Sequence, residues 1–429
     1  MNIDGYIAPI VAIALGAELL VSVFSRSALF TLGDTVSNLG VGFLQRSMHV
    51  VVDVLFIGLY ATLYSEFAPY KIPADSVFGF VALIILLDLN AYWYHRFSHR
   101  VNFAWAAHSV HHQSEEMNLT VGFRISLTSV PIHWMFLLPF ALLGFDPIVF
   151  FLTYTVVTAY ELWYHTQSIG RLGWLEQVLV TPSNHRLHHG YNAPYIDKNY
   201  GAMFCVWDRW FRTFQDEVEV PRFGTTAGLA SYDPVRALID PFREIYQQAR
   251  EFPRWQDQWL VWIKPPGWRP KDAPIQSPNA SRVSPTRSTM PSSLAAYIII
   301  NCAMLIPTIV GLTHVVDPMA AHYRAGLIPF VALNFGVLSW LATGSRAAIV
   351  FEIGRLALWA VTVPLTTDRI GLTHSTGLEV GAALAVLLAL HLAITTYANR
   401  RIPKMMLSRE TDVGRTGKVD VHRHKGWRV

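Results

Sequence analysis

The sequence predicts an all-α integral membrane protein of about nine transmembrane helices, which carries a histidine-rich helical di-metal domain on its cytoplasmic side. Its composition is the first indication, because only 15% of its 429 residues are charged and 52% are hydrophobic, whereas a soluble domain has about 25% charged residues. The other two are long apolar runs and three clusters of histidines between them. The first run, 7–24, lacks a basic start and a small-residue cleavage site, so we expect a retained span rather than a signal peptide.

A membrane-spanning helix needs about 20 mostly apolar residues. The stretches that meet or approach this length are 7–24, 50–66, 77–95, 126–143, 147–165, 294–313, 325–343, 348–365 and 378–397. Gly144 to Pro147 reads as a tight turn between the fourth and fifth. We therefore predict N-terminal transmembrane helices (1–76), a histidine-rich catalytic domain (77–271), a Ser-, Pro-, Thr- and Arg-rich linker (272–293), C-terminal transmembrane helices (294–398) and a basic tail (399–429).

The distribution of Lys and Arg predicts the topology. The polar stretch 166–293 and the tail from Asn399 are both rich in basic residues, which favours the cytoplasmic side for each. Four spans between them return the chain to that side, and five earlier spans place the N-terminus opposite. All the histidine clusters then face the cytoplasm, in a bacterial inner membrane or the endoplasmic reticulum.

The net charge of +4 reflects the basic cytoplasmic loops, so we expect no nucleic-acid partner.

Cysteine chemistry is poorly supported. Cys205 and Cys302 are the only cysteines; one lies in a polar region and the other in an apolar run. Two distant thiols favour neither a disulfide framework nor a cysteine-ligated zinc or iron–sulfur site.

The histidine clusters predict a two-metal centre. They are His95 and His99; His108, His111 and His112; and His185, His188 and His189. Residues three or four apart share a helix face, and neutral imidazole is a common metal ligand. A mononuclear zinc centre uses three or four protein ligands, so eight histidines indicate two metals, each with open positions for oxygen or water. His165, at the end of the fifth span and the same membrane face, is a ninth candidate ligand; the alternative is a hydrogen-bonded helix end.

Polar residues beside the clusters are candidates for supporting roles. Glu115 and Asn184 are the candidate catalytic residues outside the ligand set. Glu115 could orient an imidazole through its second nitrogen, or it could be a solvated helix start. Asn184, immediately before the third cluster, is a possible donor to the site. Asp197 and Asn199 could serve the ligands in the same way, or form a structural turn.

The order and spacing of the clusters resemble the fatty acid hydroxylase and sterol desaturase superfamily of membrane di-iron proteins. Further motifs resemble its ether-lipid monooxygenases: Trp105–Leu119, Trp163–Thr166, Thr181–Gly190, Asp197–Gly201, Trp207–Phe214 and Lys264–Trp268. The resemblance is strongest from about 88 to 270. One departure is Arg100, where that branch would place an acidic residue.

The resemblance implies two ferrous ions, O₂ and a lipid that enters from the bilayer. In the ether-lipid branch the reaction is hydroxylation and cleavage of the ether bond of alkylglycerols to a fatty aldehyde and a glycerol derivative. Tetrahydrobiopterin is the reductant there; another external electron donor is an alternative. Sterol desaturase-like chemistry, or hydroxylation of a fatty acyl chain or carotenoid, stays open.

A metal transporter or sensor is the alternative hypothesis from a different functional class. The histidines, however, gather at span ends rather than along a path across the membrane. The C-terminal spans are expected to support the fold, form a homodimer or shape lipid entry.

Overall fold

The computed structural model describes residues 4–27, 29–226, 228, 231–273, 292–315, 321–343 and 346–367. Within these ranges the regular structure is helical, and the β contacts are two isolated bridges, Leu179–Phe204 and Gly190–Phe223. The all-α prediction is thereby confirmed for the described chain. The ninth span, the basic tail and most of the 272–293 linker lie outside the described residues.

The helices follow the predicted apolar stretches with different bounds. The α-helices are α1 (Asp4–Phe24), α2 (Leu32–Thr62), α3 (Val77–Arg100), α4 (Asn102–His112), α5 (Ser129–Leu137), α6 (Pro139–Leu142), α7 (Pro147–Trp163), α8 (Pro182–His188), α9 (Val206–Trp210), α10 (Pro234–Arg250), α11 (Trp255–Ile263), α12 (Ser292–Val315), α13 (Ala321–Ala342) and α14 (Arg346–Thr367). A π-helical turn, Leu63–Phe67, extends α2, and three 3₁₀ turns lie at Leu119–Phe123, Gly173–Gln177 and Ala193–Tyr195.

The span prediction is only partly supported. Among the described residues, Val77–Arg100 is the one helix that is long and apolar enough to cross a bilayer by itself, and the bent pair Leu32–Ser47 and Val52–Phe67 adds a second if it counts as one span. The apolar helix Pro147–Trp163, for example, is shorter: it has 17 residues, or about 26 Å, against a hydrocarbon core of about 30 Å. Nine transmembrane helices are therefore not confirmed.

The chain divides into two compact units, residues 1–288 with 301–348, and residues 289–300 with 349–429. All the histidine clusters belong to the first. In the second, the buried Glu352 carboxylate accepts hydrogen bonds from Arg355 and from the hydroxyl of Tyr297. The predicted domain boundaries remain predictions.

An aromatic core joins α2, α3, α5 and α7. The ring of Tyr60 stacks on Phe150 with centroids 4.5 Å apart, and Phe56 stacks on Trp134 at 4.8 Å. Offset stacking adds to the free energy of apolar burial. This core fixes α3 and α7 relative to each other. The last turns of α3 carry His95 and His99, and His165 follows shortly after the end of α7.

The second histidine helix, α4, is held from the other side by α10 and α11. Buried side chains of Ala106, Ile245, Phe252 and Val261 form a small apolar cluster there. The backbone N–H of Asn102 donates to the Lys264 carbonyl at 3.1 Å, and its carboxamide donates to the Val261 carbonyl at 2.8 Å. The start of α4 is thus fixed in both position and rotation.

The predicted turn between α6 and α7 is confirmed. Gly144 has a φ of +88°, and Asp146 caps α7 by accepting from the N–H groups of Ile148 and Val149. A Cβ on Gly144 would lie 2.0 Å from the carbonyl oxygen of Tyr70, so the position excludes every side chain.

We expect Gly144→Ala to lower the thermal stability of the detergent-solubilised protein. The left-handed backbone alone costs an L-residue about 1–2 kcal/mol, and the clash with the Tyr70 carbonyl adds to that. Differential scanning fluorimetry measures the shift. Gly170→Ala is the matched control, because a Cβ there has no heavy atom within 4 Å. An equal melting temperature for the two variants would contradict this account of the turn.

Candidate metal centre

Three helices and one helix end bring the histidines together. His95 and His99 occupy the last turns of α3, and a single extended residue, Val101, separates α3 from α4. This short connection forces the second cluster on α4 to lie against the first. His165 lies two residues beyond the end of α7, and α8 carries the third cluster.

The nine histidines form two groups, each of which could hold a metal ion. The five-histidine group is His95, His99, His108, His112 and His188, and the four-histidine group is His111, His165, His185 and His189; in each, one nitrogen per residue lies within 4.8 Å of all the others. The structure thus places all the predicted ligand candidates, His165 included, in such groups.

The Nε2 atoms of the four-histidine group converge. His165 Nε2 lies 3.1 Å from His111 Nε2 and 2.8 Å from His185 Nε2, and His189 Nε2 lies 3.0 Å from His185 Nε2. Nitrogens bound to one ion at about 2.0–2.1 Å are themselves separated by roughly 3 Å or slightly more. This spacing fits a shared metal ion.

The two groups adjoin each other. His111 and His112 are neighbours in sequence but belong to different groups, as do His188 and His189. The rings of His112 and His189 stack across the boundary with centroids 4.4 Å apart. The doubled histidines therefore divide their side chains between two adjacent positions.

The donor set itself supports a metal site. In the five-histidine group, the buried Nε2 atoms of His95, His99 and His188 have no hydrogen-bond partner among the described residues. An unpaired buried polar atom is costly, and a metal ion would satisfy all three. The residues present therefore fit bound metal.

Burial keeps the imidazoles neutral. Seven of the nine are buried and His95 and His108 are half-buried. Desolvation lowers the pKa of His108, His111, His112, His185 and His189 well below the usual value, and neighbouring histidines lower them further. Burial likewise lowers the pKa of His188 to about 4, although the Lys198 carbonyl opposes the shift. Neutral imidazole is the form that binds a metal ion.

A buried guanidinium supports the end of α4. Arg124 is fully buried, and its Nε donates to the Val110 carbonyl at 2.7 Å. Its Nη1 donates to Ser37 and to Asn38 on α2. Because Val110 immediately precedes His111, this network fixes the second cluster against α2.

Several carboxylates that position the centre were not predicted. Glu18 on α1 accepts from the Leu119 N–H and from the Thr166 hydroxyl, next to His165. Asp88 on α3 accepts from the indole of Trp207 at 2.7 Å and from the N–H of Met203 at 2.6 Å. The available signal was a single acidic residue inside an apolar helix, which is costly unless it is bonded.

The structure gives Asn184 and Glu115 local contacts. The Asn184 carboxamide oxygen accepts from the N–H and hydroxyl of Thr181 at 3.1 and 2.9 Å, which completes a capping box at the start of α8. Burial raises the pKa of Tyr232, and the nearby carboxylates of Asp34 and Glu115 raise it further. Catalytic roles for Asn184 and Glu115 remain predictions.

An ion pair orients α8 from outside. Arg186 donates from Nε and Nη2 to the two oxygens of Glu217, at 3.0 and 2.7 Å. Burial raises the pKa of Glu217, but the bonds to Arg186 and Ser183 outweigh it and leave that pKa below its usual value. Arg186 directly follows His185, so the ion pair anchors α8 next to that histidine. The charge of Arg186 is balanced by Glu217 and not by the imidazoles.

The metal-free protein should lose stability as the pH falls below about 6.5, the usual pKa of histidine. Below that pH the histidines of the unfolded chain bind protons, whereas the folded imidazoles stay neutral because their pKa values are lowered. The contribution of these histidines to the free energy of unfolding is therefore fully present above about pH 6.5 and is lost as the pH falls below it. Each such histidine contributes up to about 1.4 kcal/mol per pH unit. Chemical denaturation between about pH 8 and pH 5 measures the slope, and a His112→Gln/His189→Gln double variant should flatten it. An identical slope in that variant would contradict the assignment.

Comparisons with known proteins agree with this geometry. Residues 80–213 match the fatty acid hydroxylase family model. Human alkylglycerol monooxygenase is 32% identical over 239 residues, which are 56% of this chain and 54% of that protein. The Xenopus tropicalis alkylglycerol monooxygenase is 33% identical over 258 residues, 60% of this chain and 58% of that protein.

A bacterial protein also matches. The ornithine lipid hydroxylase OlsE of Rhizobium tropici is 28% identical over 163 residues, 36% of this chain and 46% of that protein. The chain spans about half the length of the curated relatives it matches. No solved structure matches it. The matched segment begins within α3 and contains all nine histidines, and residues 80–213 are therefore a domain of the fatty acid hydroxylase family.

Proposed function

We propose that this protein is a membrane-bound, iron-dependent lipid monooxygenase that cleaves the ether bond of alkylglycerols. The observation that carries the proposal is the convergence of nine neutral imidazoles in two adjoining groups. The choice of an ether lipid is supported by the similarity to alkylglycerol monooxygenases.

The nine histidines would hold two ferrous ions, one in each group. Bound there, the ions would supply the activation of O₂ and the oxidation of an unactivated C–H bond. Hydroxylation of the carbon next to the ether oxygen gives a hemiacetal, which collapses to a fatty aldehyde and glycerol. One O₂, two electrons and two protons are consumed for each ether bond; one oxygen atom enters the hemiacetal and the other leaves as water. We propose tetrahydrobiopterin as the external reductant.

The chain's own groups provide three conditions for this chemistry. The imidazoles remain neutral because burial disfavours their protonation. Carbonyl oxygens of Lys198 and Tyr200 hold two of the rings through their Nδ1 atoms. The buried setting excludes water, which protects a strong oxidant from side reactions.

The surface of α3 suggests how a lipid reaches the centre. Its first three turns expose large apolar side chains, including Phe78, Val81 and Ile85, while its last turns carry His95 and His99. A chain lying along this helix within the bilayer would be directed toward the histidines. The headgroup would then stay at the membrane surface, which we expect to be the cytoplasmic one.

Hydroxylation of an acyl lipid is the second candidate function. The match to an ornithine lipid hydroxylase favours it, and the same two histidine groups would serve. Metal transport is disfavoured because the nine clustered histidines form one centre at helix ends, not a series of sites along a path.

The first test is ether cleavage by the full-length protein in detergent. After anaerobic loading with Fe²⁺, we expect it to convert 1-O-hexadecylglycerol to hexadecanal in the presence of O₂ and tetrahydrobiopterin, as measured by mass spectrometry. His111→Ala should abolish the product because it removes a member of the four-histidine group. His422→Ala, in the C-terminal basic segment, is the matched histidine control and should retain activity.

The substrate panel separates the candidate functions. The ester analogue 1-hexadecanoylglycerol should give no aldehyde. Hydroxylated ornithine lipid or fatty acid, formed without any aldehyde from the ether, would replace ether cleavage by acyl hydroxylation. Equal products from His111→Ala would reject the centre itself as the site of reaction.

A further inference from the structure

Four consecutive residues, Asp197 to Tyr200, contact three members of the five-histidine group; we name them the 197–200 loop. The Lys198 carbonyl accepts from His188 Nδ1 at 2.7 Å, and the Tyr200 carbonyl accepts from His95 Nδ1 at 3.0 Å. Asp197 Oδ1 lies 3.8 Å from His99 Nδ1. A carbonyl can only accept, so Nδ1 carries the proton in His95 and His188 and Nε2 keeps its lone pair for a metal.

The loop is held in an unusual backbone conformation. Asp197 and Asn199 have φ values of 58° and 57°, in the left-handed region that few non-glycine residues occupy. Strained residues of this kind persist when the surroundings over-determine them. Asp197 and Asn199, with positive φ, alternate with Lys198 and Tyr200 along the loop. This backbone path directs the Lys198 carbonyl to His188 and the Tyr200 carbonyl to His95.

Buried side chains fix that conformation. The Asn199 carboxamide donates to the carbonyls of Asn184 and Gln215 at 3.1 and 2.9 Å, and accepts from the Gln215 N–H. Asp208 accepts from the N–H groups of Tyr200 and Gly201 at 2.8 and 2.7 Å. From the solvent side, Arg100 Nη1 donates to Asp197 Oδ2 at 2.6 Å.

The four-histidine group lacks comparable support. Within the described ranges, the Nδ1 atoms of His111, His165 and His185 make no hydrogen bond. The Arg124 carbonyl lies near the His111 ring, and the carbonyls of Glu161 and Leu162 lie near His165, but none has hydrogen-bond geometry.

We propose that the two metal positions are unequal, and that the 197–200 loop is the element that makes them so. The five-histidine group holds its ion tightly because the loop fixes its rings and raises their basicity, while the four-histidine group holds an exchangeable ion. Outer partners of metal-bound histidines change affinity by about 10–100-fold. The inference rests on the proposed two-metal function and concerns only the difference between the sites.

Metal binding tests this without any turnover. The full-length protein in detergent is loaded anaerobically with Fe²⁺ and dialysed against graded chelator, and retained iron is counted by mass spectrometry. We expect two release steps of one equivalent each, at least about tenfold apart in affinity. His165→Ala should remove the weaker step and His99→Ala the tighter one.

The loop variants test its role. Asp197→Asn keeps a residue that tolerates left-handed backbone and removes the charge beside His99; it should weaken the tight step about tenfold and leave the weak step unchanged. Asn199→Gly, which keeps the backbone conformation and loses the anchor, should do the same. The matched control is Asp216→Asn, at an exposed carboxylate, which should alter neither step.

The outcomes distinguish the two levels of the argument. One release step of two equivalents, or a reversed assignment of the steps by the His99 and His165 variants, overturns the inequality and leaves the two-metal proposal standing. Equal weakening of both steps by Asp197→Asn overturns the role of the loop. Failure to retain any iron overturns the two-metal proposal itself.

Discussion

Nine imidazoles packed together without a charge among them are the constraint on which the rest of the structure depends. A protonated histidine in this space would face desolvation and the repulsion of its neighbours at once, and both lower the pKa values of the rings. All nine members of the two groups are histidines, and Asp197, beside His99, is a carboxylate at the edge of the centre rather than within it. The centre is therefore a preformed set of neutral donors, which is what a metal ion requires.

Holding such a set requires partners outside it, and the chain supplies them as buried carboxylates bonded mainly to backbone N–H groups. Asp88 ties α3 to the segment around Phe204 and Trp207, and Glu18 ties α1 to Leu119. Each carboxylate satisfies donors that would be unpaired in a dry interior. The groups that position the histidines are thus the groups that complete the fold, so the binding of a metal ion there would be coupled to folding.

Histidine spacing was sufficient to predict which histidines converge, but not how they divide between the two groups. In the second cluster His108 and His112, four apart, join the five-histidine group and His111 joins the other. In the third cluster the pattern reverses, because His185 and His189 join the four-histidine group and His188 crosses over. Spacing predicts that residues four apart share a face. The rotation of α4 relative to α8, which decides which faces meet, is a property of tertiary packing.

Tertiary packing also explains why the apolar runs did not predict where α2 begins. The run 50–66 predicted a second span, whereas α2 begins at Leu32, because the polar side chains of Asp34, Ser37 and Asn38 on its first turns are buried against the segment that holds Arg124. Hydropathy treats such residues as an interruption. Only the fold shows that they face inward, where their hydrogen bonds offset the cost of burial.

Arg100 departs from the family motif, yet a carboxylate still lies beside His99. An acidic residue is expected immediately after His99, and the sequence has a base there. The structure nevertheless places a carboxylate 3.8 Å from His99 Nδ1, supplied by Asp197, and Arg100 is bound to that same carboxylate. Arg100 thus helps to hold Asp197, which comes from the 197–200 loop. The residue after His99 changes from acidic to basic, but a carboxylate remains beside the His99 ring.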